Sequence, residues 1–238
     1  MRAPEPMRVI VTRPADSARR TAEKLAALGH QPLLLPLTRA EHRADEALKA
    51  LSLPHRAIVL TSAEAIRALG GIDLAPHFDT PVFTVGEASA KAARKAGFRR
   101  VTAGGGNGEA LAKQVGASGL DPLLYLAGAP RSPGFEEGLQ QQGTGCHTVE
   151  CYAMVPKDWS DQEIALLSPR PDALLLYSRE AAKLFFSRAA VRERRQTLSG
   201  LRVLCLSAAI ADAVPGDFAV ETQVSPTPSE ADLLALLR

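Results

Sequence analysis

The sequence has few of the residues that mark secreted, membrane or nucleic-acid-binding proteins. It has three cysteines, Cys146, Cys151 and Cys205, without a CxxC pair. Such a set predicts reduced, buried thiols and a cytoplasmic location. No apolar run reaches the ~20 residues of a membrane helix, and the N-terminus lacks the apolar core of a signal peptide. Residues 2–6 are predicted to be a short disordered leader. The net charge of +2 is too small for nucleic-acid binding through a basic surface.

Common catalytic and cofactor motifs are also missing. We find no catalytic triad, no paired carboxylates, no GxGxxG and no histidine–cysteine cluster with the spacing of metal ligands. The glycine run Gly104–Gly106 lacks the Lys-Ser/Thr that follows in a P-loop, so it is interpreted as a loop between a strand and a helix. The sequence therefore predicts no metal site and no nucleotide cofactor.

Apolar runs alternate with helical patterns along the whole chain, which predicts βαβ units and parallel sheets. Ten strands are too many for one compact sheet in 238 residues, so we expect two sheets of about five strands each. The predicted strands are residues 8–12, 31–35, 57–60, 81–85, 100–103, 122–127, 147–154, 172–177, 202–206 and 218–222.

Internal repeats indicate how these strands are divided. Residues 57–69 (AIVLTSAEAIRAL) resemble residues 173–185 (ALLLYSREAAKLF), and residues 9–36 resemble residues 123–156. Gly86 and Ser207 are 121 residues apart, as are Glu109 and Glu230. The repeats predict two similar α/β domains, one inserted in the other.

The predicted inserted domain is residues 37–156, and residues 1–36 with 157–238 form the discontinuous domain. The chain crosses between them twice, which predicts a two-stranded hinge with a ligand cleft between the domains. A single mixed sheet is the alternative architecture.

Several predicted strands stop at a small residue and continue directly into a helix. Residues 81–97 (PVFTVGEASAKAARKAG) are the plainest case, with a turn at Gly86. Such turns place free backbone N–H groups at the carboxyl edge of a sheet, where open α/β sheets bind ligands and helix N-termini favour anions. Segments of this kind begin at Thr61, Gly86, Ala129 and Ser178. Serines at these positions are equally compatible with a role as helix caps alone.

Taken in order, these motifs resemble those of one enzyme family. VTRP, LTSAEAI, VGEASA, GEALA, LYLAG-PR and ECYAMVP together resemble the uroporphyrinogen-III synthases, over almost the whole chain. The resemblance implies a lyase of haem and tetrapyrrole biosynthesis. Such an enzyme removes water from the linear hydroxymethylbilane, inverts its last pyrrole ring and closes the macrocycle, without a metal or organic cofactor. It implies a monomer with a small-molecule substrate and no nucleic-acid or membrane partner.

The resemblance also implies site residues. Tyr152, in ECYAMVP, is the expected catalytic residue, with packing across the hinge as its alternative role. Arg13 is expected to bind a carboxylate, with an ion pair to Asp16 or a solvated loop as the alternative. The expected substrate-binding residues are Arg13, Thr61, Ser62, Ala63, Gly86, Ala88, Ser89, Gly128, Arg131, Ser178 and Arg179.

One segment departs from the family pattern. LSAAIADAVP has Ser207 where the family usually has glycine, so this side is expected to bind substrate weakly. The departure keeps open a second function, a two-domain module that closes on an anionic ligand without catalysis. A glycosyltransferase-like enzyme is a third, disfavoured by the short chain and the missing phosphate loop.

Overall fold

The computed structural model describes residues 5–238, so the first part of the predicted leader, residues 2–4, lies outside the described residues. The chain forms two compact units. Unit 1 comprises the chain up to Arg39 together with Pro156–Arg238, and unit 2 is Ala40–Val155. These divisions lie within three residues of the predicted crossings.

Strands and helices alternate through both units. The strands are β1 (Arg8–Val11), β2 (Gln31–Leu34), β3 (Thr38–His42), β4 (Ala57–Leu60), β5 (Val82–Thr84), β6 (Val101–Ala103), β7 (Leu123–Ala129), β8 (Cys146–Pro156), β9 (Ala173–Leu176), β10 (Arg202–Cys205) and β11 (Glu221–Val224). The helices are α1 (Ala15–Ala27), α2 (Ala44–Leu51), α3 (Ala63–Ala68), α4 (Glu87–Lys95), α5 (Gly108–Ala117), α6 (Gly134–Gln141), α7 (Asp161–Ala165), α8 (Arg179–Ser187), α9 (Ala189–Arg192), α10 (Ala208–Ala211) and α11 (Glu230–Ala235). A 3₁₀ turn covers Ala75–His77.

Each unit has one sheet. The strand order is β11-β10-β9-β1-β2 in unit 1 and β3-β8-β7-β4-β5-β6 in the second sheet. In the second sheet, the pairs β4–β5, β5–β6, β4–β7 and β7–β8 are parallel. All pairs of the first sheet are parallel as well. The α/β fold class with two parallel sheets is therefore confirmed, although the second sheet has six strands rather than five.

Two strand predictions were wrong. β3 was not predicted, because its sequence TRAEH contains a single apolar residue and most of its residues are exposed. The last strand was predicted at residues 218–222 but is Glu221–Val224. Phe218 suggested a strand because it is apolar, yet it is buried in the core from the loop before β11.

The chain passes between the units along two paired segments. The Lys157 N–H donates to Leu37 O at 2.9 Å, and the Arg43 N–H donates to Cys151 O at 2.8 Å. The residue numbers rise on one segment as they fall on the other, so the pair is antiparallel. On the unit 1 side, the Arg188 guanidinium donates to the carbonyls of both Leu37 and Lys157.

Both faces of each sheet are covered by apolar side chains, as parallel sheets require. In unit 2, Ile58 and Leu60 of β4 pack on one face with Leu124. Val59 packs on the opposite face with Tyr125. This strict alternation determines which side chains reach the carboxyl edge from each face. Among the described residues, no helix is long and apolar enough to cross a membrane.

Candidate functional site

A cleft of about 650 Å³ opens at the carboxyl edge of the unit 2 sheet. Its lining comes from the segments that follow β4, β5, β6 and β7, and from Tyr125 on β7 and Tyr152 on β8. Parallel strands end at the same edge, so residues far apart in sequence converge there. Four sequence-predicted residues meet in this cleft: Thr61, Ser62, Arg131 and Tyr152.

The turn from β4 into α3 forms the centre of the cleft. Thr61 and Ser62 follow the strand directly, so their side chains continue its alternation between the two faces. Ser62 is the N-cap of α3, and its hydroxyl accepts a hydrogen bond from the Glu64 N–H at 3.2 Å. The predicted capping role of Ser62 is thus observed in the structure.

A β-bulge in β8 orients Tyr152. Ala127 of β7 pairs with Glu150, and the next residue, Gly128, pairs with Tyr152, so Cys151 is extra. Cys151 and Tyr152 consequently pack on the same face of the sheet, although neighbours in a regular strand point to opposite faces. Without the bulge, Tyr152 would lie on the opposite face from Ser62.

Gly128 provides the space for the Tyr152 ring. A Cβ atom on Gly128 would lie 2.2 Å from the Tyr152 Cζ and 2.4 Å from its hydroxyl oxygen. No side chain fits at that distance, so glycine is required by close approach rather than by backbone conformation. Gly128 was predicted to bind substrate; the structure places it beneath the tyrosine ring.

Tyr152 is 7% exposed and lines the cleft together with Ser62. Burial raises the pKa of its phenol. Tyr152 is therefore protonated at neutral pH, the state in which a phenol can donate a proton.

A second tyrosine, which the sequence reasoning missed, reaches the same edge from the other face. The Tyr125 hydroxyl is 2.8 Å from Thr61 Oγ1, and either atom can be the donor. Its ring is 1% exposed and packs edge-on against Phe135, with centroids 4.8 Å apart. Burial raises the Tyr125 pKa as well. A tyrosine within the apolar run LLYLA is the signal that was available, because a buried phenol needs a partner.

Arg131 lines the cleft and is paired with two carboxylates. Its Nε donates to Glu136 at 2.8 Å, and its Nη1 donates to Glu150 at 2.7 Å. These hydrogen bonds raise the pKa of the guanidinium and lower the pKa of both carboxyls. Arg131 does not lie at a helix start, as its segment was predicted to; α6 begins three residues later, at Gly134, after a cis peptide bond before Pro130.

Two further helices begin at the cleft. Asn107 caps α5, its side chain accepting from the Ala110 N–H at 2.8 Å. The N-terminus of α6 lies against that of α5, since a Cβ on Gly108 would be 2.9 Å from the Phe135 nitrogen. The first N–H groups of a helix have no intrahelical acceptor, so both termini present donors and partial positive charge. The Asn-Gly of the sequence GGGNGEA is a signal for the start of a helix, but it was not used in the prediction.

The remaining predicted residues of unit 2 do not line this cleft. Ala63 begins α3 and Gly86 is the N-cap of α4. Ala88 is exposed on the first turn of α4. Ser89 is 5% exposed, and its N–H already donates to Gly86 O at 3.2 Å. A role of these four residues in binding stays a prediction.

The predicted residues of unit 1 lie at the corresponding edge of its sheet. Ser178 caps α8 by accepting from the Ala181 N–H at 3.1 Å, and Arg179 begins that helix. Arg13 follows β1 but is engaged: its Nη1 donates to Glu230 at 2.8 Å, and its guanidinium lies over the Tyr177 ring, 4.3 Å from the centroid. Its ion-pair partner is Glu230 rather than Asp16.

Glu230 is held by several donors at once. Thr21 Oγ1 donates to it at 2.6 Å and the Tyr177 hydroxyl at 2.9 Å, and Lys24 forms an ion pair with its second oxygen. Burial alone would raise the pKa of this carboxyl, but the bonds from Lys24, Thr21 and Tyr177 bring it down to about 2. For Arg13 to bind a substrate carboxylate as predicted, it would have to release Glu230.

Metal ligands are not gathered anywhere in residues 5–238, where no three His, Cys, Asp or Glu side chains lie close enough to hold an ion. All three cysteines are free thiols; Cys151 and Cys205 are buried and Cys146 is partly buried. Burial raises the pKa of each thiol to about 11, so they are not poised as nucleophiles.

Comparison with known proteins decides the family. The family model described as "Uroporphyrinogen-III synthase HemD" matches residues 19–235. The chain belongs to the uroporphyrinogen-III synthase family. The match confirms the family suggested by the ordered motifs, and with it the assignment as an enzyme of tetrapyrrole biosynthesis.

Solved structures agree on the fold. Uroporphyrinogen-III synthetase from Helicobacter pylori is 15% identical with a TM-score of 0.63, covering 97% of both chains. A mutant uroporphyrinogen III synthase from Thermus thermophilus is 19% identical with a TM-score of 0.51, covering 96% of both. The comparison with curated proteins gives no match.

Proposed function

We propose that the unit 2 cleft binds part of hydroxymethylbilane and that Tyr152 assists loss of its hydroxyl group. The chain is a uroporphyrinogen-III synthase by family, so its reaction is the cyclisation of this linear tetrapyrrole to uroporphyrinogen III with inversion of the last ring. The main support for this site is the buried, protonated Tyr152 phenol at the edge of a cleft where two helices begin.

The backbone donors of the cleft suit the substrate. Hydroxymethylbilane carries carboxylates on every pyrrole ring, and a binding site must hold them in a defined turn. The N–H groups at the starts of α5 and α6 provide directed donors with partial positive charge. Arg131 is already paired with Glu136 and Glu150, so it would have to release one of them to bind a substrate carboxylate, as Arg13 would have to release Glu230.

The dehydration step requires a proton donor at the departing hydroxyl oxygen of the bilane. The pyrrole nitrogen pushes the hydroxyl group out of the bilane, leaving an electrophilic azafulvene. In our proposal the Tyr152 O–H gives its proton to the departing oxygen, which leaves as water. When the last pyrrole ring attacks the azafulvene carbon, the attacking ring gains positive charge and loses a proton as closure is completed, and this proton restores the phenol. The step therefore balances without a cofactor.

Positioning supplies the rest of the control. The bilane cyclises spontaneously without inversion to the type I isomer, so the enzyme must favour attack through the inverted ring. Holding the carboxylates in a turn brings the reacting carbons together and can contribute several kcal/mol. Arg13, Ala63, Gly86, Ala88, Ser89, Ser178 and Arg179 remain predicted binding residues outside the unit 2 cleft.

We also propose that the protein acts in the cytoplasm as a monomer, without nucleic-acid or membrane partners. The support is the small net charge of +2 and the reduced cysteines. A sedimentation measurement that finds a stable dimer at micromolar concentration would contradict the monomer.

The experiment that tests the function uses hydroxymethylbilane made enzymatically and supplied to the purified protein. We expect the oxidised product to be the type III isomer, with the type I isomer in the protein-free control. Formation of type I alone, with the protein folded by thermal melting, would contradict catalysis and favour the non-catalytic ligand-binding module.

A further inference from the structure

We propose that Arg43 is a positioning residue for substrate binding, which retains Glu150 when Arg131 exchanges that carboxylate for one of the substrate. The inference rests on the proposal that the unit 2 cleft binds carboxylates of hydroxymethylbilane. Arg131 lines this cleft, whereas Arg43 and Glu150 are not among its lining residues. The contacts of Arg43 therefore reach the substrate site through Glu150 and Arg131.

The two carboxylates of Arg131 are held unequally. Glu136 accepts two hydrogen bonds, from Nε at 2.8 Å and from Nη2 at 3.2 Å. Glu150 accepts one, from Nη1 at 2.7 Å. A carboxylate bound by two parallel N–H groups of arginine is held more firmly and in a more defined orientation than one bound by a single N–H. Glu150 is therefore the carboxylate that Arg131 can release, and Nη1 is the nitrogen that becomes free for a substrate.

Glu150 has a second arginine to which it can remain bound. Its Oε1 accepts from Arg131, while its Oε2 accepts from Arg43 Nη1 at 3.2 Å. The backbone fixes Arg43 in this place, since the Arg43 N–H donates to the carbonyl of Cys151, the residue after Glu150, at 2.8 Å. Glu150 can thus turn away from Arg131 and still keep a charged partner.

The exposure of these side chains makes the exchange easy. The side chain of Arg43 is 44% exposed and that of Glu150 is 41% exposed. Ion pairs between side chains exposed to this extent contribute little to stability, because water competes for both partners. A substrate carboxylate at Nη1 of Arg131 therefore has to replace only a weak interaction, and Glu136 keeps the guanidinium oriented throughout.

The test measures binding and turnover on the full chain. KM and kcat are determined with hydroxymethylbilane, the Kd of uroporphyrin III is determined by fluorescence titration, and thermal melting checks folding. Glu150→Gln removes the carboxylate that leaves. Glu136→Gln makes the same change of charge on the other partner of Arg131 and is the matched control. Arg43→Gln is made both in the natural background and in Glu150→Gln.

We expect Glu150→Gln to lower KM and the Kd of uroporphyrin III about threefold, because Nη1 of Arg131 is then free. Glu136→Gln should not lower either constant, since it removes the bonds that orient the guanidinium. Arg43→Gln should raise both constants about threefold, because Glu150 then stays on Arg131. Arg43→Lys keeps the charge and should restore most of the affinity.

The double variant separates this mechanism from a general effect of charge. In the Glu150→Gln background, Arg43→Gln should change KM no further, because the group that Arg43 retains is gone. A merely structural network would lower the melting temperature without this pattern in KM. If Glu150→Gln does not fold, Glu150→Thr removes the same carboxylate with a residue that favours strands.

Two results would overturn the inference alone. One is an equal fall of KM in Glu150→Gln and Glu136→Gln, and the other is a rise of KM on Arg43→Gln that persists in the Glu150→Gln background. A natural KM in Arg131→Gln would overturn the inference together with the proposed binding role of Arg131. Formation of the type I isomer alone by the natural protein would instead contradict the proposed function, so the failures are distinguishable.

Discussion

The carboxyl edges of the two sheets are built alike but used differently. Unit 1 has the strand order β11-β10-β9-β1-β2, and β6-β5-β4-β7-β8 repeats it in unit 2. Arg13 follows β1 as Arg131 follows β7, and Glu230 begins α11 as Glu109 lies in the first turn of α5. In unit 1 the arginine and the glutamate meet at 2.8 Å. In unit 2 the arginine turns to Glu136 and Glu150, and the space between is the cleft.

From this difference we propose that the edge of unit 1 serves stability and the edge of unit 2 serves binding. Glu230, on α11, is held by Thr21 and Lys24 of α1 and by Arg13 and Tyr177, which follow the ends of β1 and β9. Glu109 is exposed, and no ion pair is recorded for it in the described part of the chain. Protein carboxylates occupy the arginine in both units, but in unit 2 they are those of Glu136 and Glu150, so Glu109 and Arg131 lie on the lining of an open cleft.

The largest expected difference is between two tyrosines, the buried Tyr152 of unit 2 and the partly buried Tyr177 of unit 1. Tyr152→Phe should lower kcat about 100-fold, the lower end of the range for general acid catalysis, since the pyrrole nitrogen already expels the hydroxyl. Tyr177→Phe removes a phenol that bonds only within the Glu230 cluster, so it should keep the natural kcat within about twofold and lower stability. Steady-state kinetics with hydroxymethylbilane measure both. Equal loss of kcat in the two variants would remove the functional distinction between the edges.

The two arginines should separate binding from stability. Arg131→Gln is expected to raise KM about tenfold, the loss of one charge-assisted hydrogen bond to a substrate carboxylate. Arg13→Gln should change KM less and lower the free energy of unfolding by about 2 kcal/mol, because it removes the partner of a half-buried carboxylate. Urea denaturation gives the stability. A larger rise in KM for Arg13→Gln would restore Arg13 to the binding residue that the sequence predicts.

The two glutamates should differ in stability and in its pH dependence. Glu230 has a folded-state pKa of about 2 against an ordinary 4.5. Its stabilisation is therefore complete above about pH 4.5 and is lost as the pH falls through 2. Glu230→Gln should lower the free energy of unfolding at pH 7 by about 2 kcal/mol, with the curves converging in acid. Glu109→Gln should leave stability within about 0.5 kcal/mol. Parallel curves for wild-type and Glu230→Gln from pH 7 to 2 would contradict the network.

The smallest expected effect compares two helix caps. Ser62 and Ser178 both accept a backbone N–H at the start of a helix, so either change to alanine should cost about 1 kcal/mol of stability. Only Ser62 also lines the unit 2 cleft, together with Tyr152. Ser62→Ala should therefore lower kcat several-fold more than Ser178→Ala, because it changes the wall of the proposed substrate site. If the two variants have equal kcat after correction for the fraction of folded protein, Ser62 acts only as a helix cap.

The repeats made most of the fold predictable. Strand–Ser–Glu-Ala patterns at 57–69 and 173–185 mark β4–α3 and β9–α8, and both were placed correctly. β3 was not predictable from periodicity, because its polar residues form a strand through pairing with β8. β11, with the sequence ETQV, carries a similarly weak apolar signal.

The site was predictable in its residue types but not in its arrangement. Thr61, Ser62, Arg131 and Tyr152 were predicted from motifs, and all four line the same cleft; their roles stay predictions. The bulge at Cys151 leaves no signal in ECYAMVP, yet it determines the face on which Tyr152 lies. Glu230 lies 217 residues from Arg13 in the sequence, so neither spacing nor local charge pattern revealed that pair.

The central claim is that carboxylates of the tetrapyrrole bind in the unit 2 cleft. Amide chemical shifts of the labelled protein, followed by NMR during titration with uroporphyrin III, test it most directly. We predict the largest chemical-shift changes at Thr61 and Ser62, at Gly108 and Glu109, and from Arg131 to Phe135. These changes should saturate as the concentration of uroporphyrin III rises. Shifts concentrated around Arg13, Tyr177 and Glu230, with the cleft amides unmoved, would contradict the claim.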